Sequence, residues 1–517
     1  MFFHQEQNMD LKTKIAYNTF LRHRLTAVDR YAEDPRTIQL KQLRYILDNA
    51  QHTDFGRKHH LERRLTYRQF AERVPVQTYD DVKGDVERMI NGAEGVLIPG
   101  KCTWFAKSSG TTNDKSKFIP VPYSYLSRNH YRGGSDALTL YLRNRPDSRF
   151  FDTKGLLLGG SHAPTPLNAK ARMGDLSAVL VQHMPALGDA IRVPKRSTLL
   201  MSEWVSKLEK IVDEVIPARV GSLSGVPSWM LVLIRRVLEK TGCNDLSEVW
   251  PDLEVFFHGG ISFQPYRETY RELISSPRMK YMETYNASEG FFALQDDLSI
   301  SAMMLMLDYG VFFEFLPLEE LDESRTPVCD PSKLLPVWEV ELYKNYAMVI
   351  TTSGGLYRYL IGDTVRFETD MPYRIVITGR TKSYINAFGE ELMVGNADKA
   401  LAVVCEQMGA KVKEYTAAPF FLPDQAKGRH DWLIEFERKP KDMDCFALEL
   451  DGALQALNSD YEAKRYSNMT LLPLRITQAP EGLFHRWLDE KGKLGGQHKV
   501  PRLSNNRKIM DELLSMI

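Results

Sequence analysis

The segment Lys107-Ser108-Ser109-Gly110-Thr111-Thr112-Asn113-Asp114-Lys115-Ser116-Lys117 lies between an apolar lead-in, Thr103-Trp104-Phe105-Ala106, and a strand-like exit, Phe118-Ile119-Pro120-Val121. This pattern limits the local fold to two extended segments joined by a polar, glycine-bearing turn. Glycine lets backbone N–H groups converge, Ser and Thr hydroxyls add donors, and lysine supplies positive charge. Together they suit the oxygens of a polyphosphate. The spacing matches neither the Gly-x-x-x-x-Gly-Lys-Ser/Thr loop nor the Gly-x-Gly-x-x-Gly fingerprint. Taken alone, the segment reads equally well as a solvated Ser/Thr-rich turn.

Two later stretches add to it: Tyr285-Asn286-Ala287-Ser288-Glu289-Gly290 and Tyr357-Arg358-Tyr359-Leu360-Ile361-Gly362-Asp363. Tyr285 offers a flat face to a purine and Ser288 a hydroxyl to a phosphate. Glu289 is a hard oxygen ligand of the kind Mg²⁺ takes, one or two carboxylates with the rest from water and phosphate. Asp363 is an acceptor-only carboxylate able to take two ribose hydroxyls, and Gly362 before it reads as a tight turn. The alternative for Ser288-Glu289 is a helix cap ended by Gly290.

In order and distance these three segments resemble the Gretchen Hagen family of auxin-responsive acyl-acid amido synthetases. That family is a branch of the adenylate-forming superfamily, which also holds acyl-CoA synthetases and luciferases. The resemblance runs from about Phe105 to the C-terminus and implies ATP- and Mg²⁺-dependent joining of a carboxylic acid to AMP. The acyl group then passes to an amino acid. The alternatives are coenzyme A as the acceptor, or a nucleotide-binding module that has lost catalysis.

By the resemblance, Ser108, Ser109, Gly110, Thr111, Thr112, Lys117, Gly259, Gly260, Tyr285, Ser288, Asp363 and Arg380 bind the nucleotide. Glu289 holds the metal, and Thr111, Glu289 and Lys499 are the catalytic set. Gly259 and Gly260 end a strand, Glu254 to His258, at the position that lies beside the adenine. His258 itself reads as a packed histidine. The third motif departs from the family's Tyr-Arg-x-Gly-Asp, because Arg358 is displaced and Leu360 stands where arginine is expected. That leaves the arginine's role open.

Gly379-Arg380 through Gly389-Glu390-Glu391 resembles the superfamily's hinge, and Gly495 to Arg502 reads as a basic, glycine-hinged loop carrying Lys499. The expected fold is α/β. A large N-terminal domain, 1–378, has mixed sheets flanked by helices and binds the nucleotide and acid. A small mobile C-terminal α/β domain spans 379–517, with the hinge at 379–391.

A chain of 517 residues exceeds one core, in keeping with two or more domains. Lys+Arg and Asp+Glu balance at 67 each, which gives no basic excess for nucleic acid. Cys102, Cys243, Cys329, Cys405 and Cys445 are odd in number and free of Cys-x-x-Cys pairs, which argues against a disulfide framework or a zinc site. Asp10, Lys12 and Lys14 interrupt any apolar leader, and no apolar run approaches the ~18 residues of a membrane span. A cytoplasmic location is therefore expected.

Along the chain, residues 1 to about 100 read as accessory helices, and Ser124 to Arg143 as a helix. Ser161 to Arg196 reads as a long irregular stretch that either forms part of an acid pocket, with Ser177 and Met184, or is plain surface. Ser197 to Val215 reads as one helix, and Leu356 to Leu360 as a strand ahead of Asp363. Residues beyond 391 read as a split βαβ unit with a first helix Val394 to Met408.

Overall fold

The computed structural model describes the chain except residues 1–8, 109–116, 160–164, 202–203, 262, 264–265, 321–332, 382–383, 391, 423–426, 469 and 491–499. The N-terminal stretch is helical because its apolar residues recur at helical spacing behind strong start signals. Asp34 caps the helix Pro35–Ala50, accepting from the Thr37 N–H, with proline at the first turn. That helix turns Leu43, Ile46 and Leu47 into a core with Phe55, Phe70 and Val86.

Behind these helices runs a twelve-stranded sheet whose two halves differ in kind. Five strands are parallel: Arg192–Val193, Lys154–Leu157, Val220–Gly225, Val255–Gly259 and Lys280–Ala287. Parallel strands are covered on both faces, and alternation sends successive residues to opposite cores. Val255 and Met282 pack with Leu140 and Tyr141 of the helix Arg132–Asn144. Leu156, Leu223 and Phe256 pack on the other side with the helices Trp204–Val215 and Pro227–Thr241.

From Lys280–Ala287 onward the pairing becomes antiparallel, through Gly290–Leu294, Met303–Leu305, Tyr373–Arg380, Tyr359–Asp370, Asn345–Thr352 and Val311–Pro317. Aromatic side chains fill this half, with Phe315 edge-on to Phe367 at 4.8 Å.

The C-terminal part has its own core. Strands Lys411–Phe421 and Gly428–Arg438 pair antiparallel, and Arg475–Gln478 joins in parallel. Helices Val394–Met408 and Met443–Leu457 pack against them. Fully buried Trp432 stacks on Tyr415 at 5.4 Å. The architecture is a large α/β unit with mixed sheets plus a smaller α/β unit, as the sequence led us to expect.

Three local expectations are corrected. Residues 161–196 are not irregular in their described part, which carries the strand Arg172–Asp175 and the helices Leu176–Gln182 and Ala186–Ala190. Ala178, Val179 and Val181 are buried, so an apolar helical face folds this segment despite its proline and glycine content. The single helix expected over 197–215 is two, Arg196–Leu199 and Trp204–Val215. Gly362-Asp363 is not a tight turn but lies inside the long strand Tyr359–Asp370, which begins at Tyr359 and not at the expected Leu356. There, Ile361, Gly362 and Asp363 face the single residue Met348 across the ladder, a bulge that Gly362 accommodates at φ 96°.

Candidate active site

Ligands bind open α/β sheets at the carboxyl ends of the parallel strands. Here those ends, Leu157-Leu158-Gly159, Ser224-Gly225, Gly259-Gly260 and Ala287-Ser288, open into one cleft of about 1380 Å³. Gly259 is required by close approach, because a Cβ there would stand 2.2 Å from the Thr284 carbonyl oxygen.

Ser288 and Glu289 form the two-residue tip of a hairpin, since Ala287 pairs with Gly290 across it. A helix cap is thereby excluded. Glu289 is only 6% exposed yet lines the cleft. The hairpin is pinned from behind, where the Tyr125 hydroxyl donates to the Glu289 carbonyl at 2.8 Å.

Tyr285 and Asp363 meet across the junction of the two half-sheets. The Tyr285 hydroxyl donates to Asp363 Oδ2 at 2.6 Å, and both residues line the cleft while staying under 10% exposed. The Tyr285 ring stands edge-on to Phe292 at 5.1 Å. The bulge at Gly362 aims Asp363 at this partner, a common use of bulges beside binding sites. Arg380 is the cross-strand neighbour of Asp363.

Ser108 and Lys117 face each other at the open end of an antiparallel pair, Trp104–Ser108 with Lys117–Pro120, and both line the cleft. The loop they bracket, with Ser109, Gly110, Thr111 and Thr112, lies outside the described residues, as does Lys499. Ser177 and Met184 also line the cleft, as do the apolar Leu156, Leu158, Leu176, Leu180 and Ile191. The structure thus brings Ser108, Lys117, Ser177, Met184, Gly259, Gly260, Tyr285, Ser288, Glu289 and Asp363 to one cavity.

Arg358 is not in that cavity. Fully buried, it donates to Glu314 through Nε and Nη2 and to the Ala71 and Val74 carbonyls through Nη1. The third-motif arginine is a structural tie between the helical layer and the sheet.

Three family models cover most of the chain: the GH3 family N-terminal domain over residues 24–279, the central domain over 304–380 and the C-terminal domain over 395–508. The chain belongs to the GH3 family. It is 24% identical to an indole-3-acetic acid-amido synthetase of Arabidopsis thaliana, over 95% of this chain and 93% of that one. It is also 24% identical to a jasmonoyl–L-amino acid synthetase of Oryza sativa subsp. japonica, over 93% and 94%. Its fold matches a solved GH3.15 acyl acid amido synthetase with a TM-score of 0.60 at 17% identity, covering 96% of each chain.

Within this GH3 chain the cleft also holds groups that sequence reasoning missed. Glu283 precedes Tyr285 by two, so strand alternation puts both on one face. Burial pushes its carboxyl up to about 7, with Arg267 opposing. His258, read from the sequence as a packed histidine, also lines the cleft, stacked on Phe263 at 4.2 Å, and burial holds it down at about 3. Asn458, Ser459 and Asp460 reach the cleft from the C-terminal part, whose Lys464 sits 3.5 Å over the Trp229 ring. The Tyr266 hydroxyl donates to the Ala387 carbonyl at 2.9 Å across the same junction. Only tertiary structure brings these last residues near the motifs.

Proposed function

We propose that this GH3 protein is an ATP-dependent acyl-acid amido synthetase. It activates a carboxylic acid as its adenylate, releasing pyrophosphate, and then transfers the acyl group to the amine of an amino acid, releasing AMP. The observation that carries this reading is the convergence of the Ser288-Glu289 hairpin, the Tyr285–Asp363 pair and the Ser108/Lys117 strand ends on one cleft that also has apolar lining residues. The names and lengths of the curated relatives support it.

The chemistry is leaving-group activation. A carboxylate resists attack until one oxygen is bound to phosphorus. Asp363 would accept the ribose hydroxyls and Ser288 would donate to the phosphate. Lys117 and the 109–116 loop would carry the polyphosphate, with Lys499 completing the charge. The apolar lining with Ser177 and Met184 would seat the acid. Among the described residues no three His, Cys, Asp or Glu side chains could hold a metal by themselves. A single carboxylate, Glu289, beside the phosphate site suits Mg²⁺, which takes most of its ligands from water and phosphate. When bound, Mg²⁺ would offset phosphate charge.

Residues 379–391 would act as the hinge between the domains 1–378 and 379–517, with the cytoplasm, where ATP is supplied, as the site of action. The test is incubation with ATP, Mg²⁺, an acid panel and an amino acid panel, followed by mass spectrometry. Acyl-amino acid conjugates with AMP are expected. Thioesters formed only when coenzyme A is added would overturn the amide assignment.

A further inference from the structure

His130 lies on the π-helical turn Ser127–Tyr131, directly before the helix Arg132–Asn144, from which Gly134, Ala137 and Leu138 line the cleft. Such turns insert one extra residue and recur at functional sites because they re-aim a side chain. His130 is 4% exposed but belongs to the cleft wall.

Its Nδ1 lies 3.1 Å from the side-chain oxygen of Asn286, the residue after Tyr285. A carbonyl oxygen only accepts, so Nδ1 carries the proton and Nε2 presents a lone pair. That Nε2 is buried and has no hydrogen-bond partner among the described residues. Burial holds the imidazole down at about 4, with Asn286 opposing, so the lone pair persists at neutral pH. A buried acceptor without a donor is costly, and such groups call for an explanation.

The ring's place supplies one. His130 is held by Asn286, two residues before Ser288, and the next residue, Tyr131, donates its hydroxyl to the Leu180 carbonyl at 2.9 Å, so this turn joins the hairpin strand to the apolar lining of the cleft. His258 and His183 also carry ring nitrogens without a partner among the described residues. His258, however, is stacked on Phe263 beside the glycine pair, and His183 packs edge-on to Trp104.

We propose that His130 selects the acid: Nε2 accepts a hydrogen bond from an O–H or N–H on the substrate's body. The preferred substrates are then apolar carboxylic acids carrying one such donor near the carboxyl group. This rests on the reading of the cleft as an acid-adenylating site.

The test compares acid-dependent ATP–pyrophosphate exchange within matched pairs. These are indole-3-acetic acid against its N-methyl derivative, salicylic against 2-methoxybenzoic acid, and phenyllactic acid against its O-methyl ether. The wild type is expected to favour the donor-bearing member of at least one pair by about tenfold or more in kcat/KM. In His130→Phe that ratio should fall toward one. A wild type that treats every pair alike overturns the inference and leaves adenylation standing. A preference that persists in His130→Phe overturns the assignment to His130. Absence of exchange with every acid removes the adenylation reading and this inference with it. If His130→Phe is inactive with every acid, His130→Gln, whose amide oxygen restores an acceptor, must recover both exchange and preference. Its failure would leave His130 a packing role and overturn the proposal.

Discussion

Replacing Arg358 by methionine tests whether the third-motif arginine serves the fold or the ligand. Its guanidinium donates to Glu314 at 2.9, 3.0 and 3.1 Å and to the carbonyls of Ala71 and Val74 at 2.8 Å each. Without it, Glu314 keeps the Tyr67 hydroxyl at 3.0 Å in a fully buried site. That leaves a buried carboxylate without its cation, which costs about 3 to 4 kcal/mol, the lower part of the range for a broken buried pair because the Tyr67 hydroxyl still donates.

Two stranded carbonyls add about 1 kcal/mol each, so Arg358→Met should lose roughly 4 to 6 kcal/mol, in line with broken buried pairs. Arg358→Met/Glu314→Leu removes the charge and should recover much of the loss. Denaturant titration of the single and double variants, reading the transition of the large domain, measures both effects. A variant as stable as the wild type that binds ATP more weakly would refute this reasoning and return Arg358 to the ligand.

Asp363→Ala should raise the ATP dissociation constant about tenfold or more, at roughly 1.5 to 3 kcal/mol per charge-assisted bond, and 2′-deoxy-ATP should lose less. Calorimetric titration checks this, and equal losses for both nucleotides would deny Asp363 the ribose. Glu289→Gln should keep nucleotide binding but lose most exchange, with no recovery as Mg²⁺ is raised; unaltered exchange across that titration counts against a metal role. Glu283, raised to about 7, binds its proton more tightly folded than unfolded, so it lowers stability as pH rises from about 4.5 through 7. Melting temperatures should therefore favour Glu283→Gln over the wild type increasingly between pH 5 and pH 8, and a constant difference would contradict the shift. Lys499→Ala should slow adenylation far more than conjugation from a supplied acyl-adenylate; equal slowing of both would remove its adenylation-specific role.

Much of the fold was readable because local chemistry and tertiary outcome agree. Val394–Met408 was found to the residue, since its apolar period and the following Gly409 mark it, and the strand ending at Gly259 was found from its apolar run and closing glycines, of which Gly259 leaves room for the Thr284 carbonyl. The segment 161–196 misled because prolines and glycines masked a short buried helical face at Leu176–Gln182. Asp363 was legible as an acceptor, but its bulge depends on which strand lies opposite. Arg358 was not legible, since its partners Glu314, Ala71 and Val74 are distant in sequence. His130 and Glu283 likewise gain meaning only from the cleft they face.

The central claim is that an acid is activated as an adenylate before any amine takes part. Exchange of labelled pyrophosphate into ATP measures that step alone. Exchange that requires a carboxylic acid and Mg²⁺, proceeds without an amino acid, and disappears in Glu289→Gln is the predicted result. Exchange that depends on the amino acid instead, or release of ADP and phosphate in place of AMP and pyrophosphate, would contradict the account.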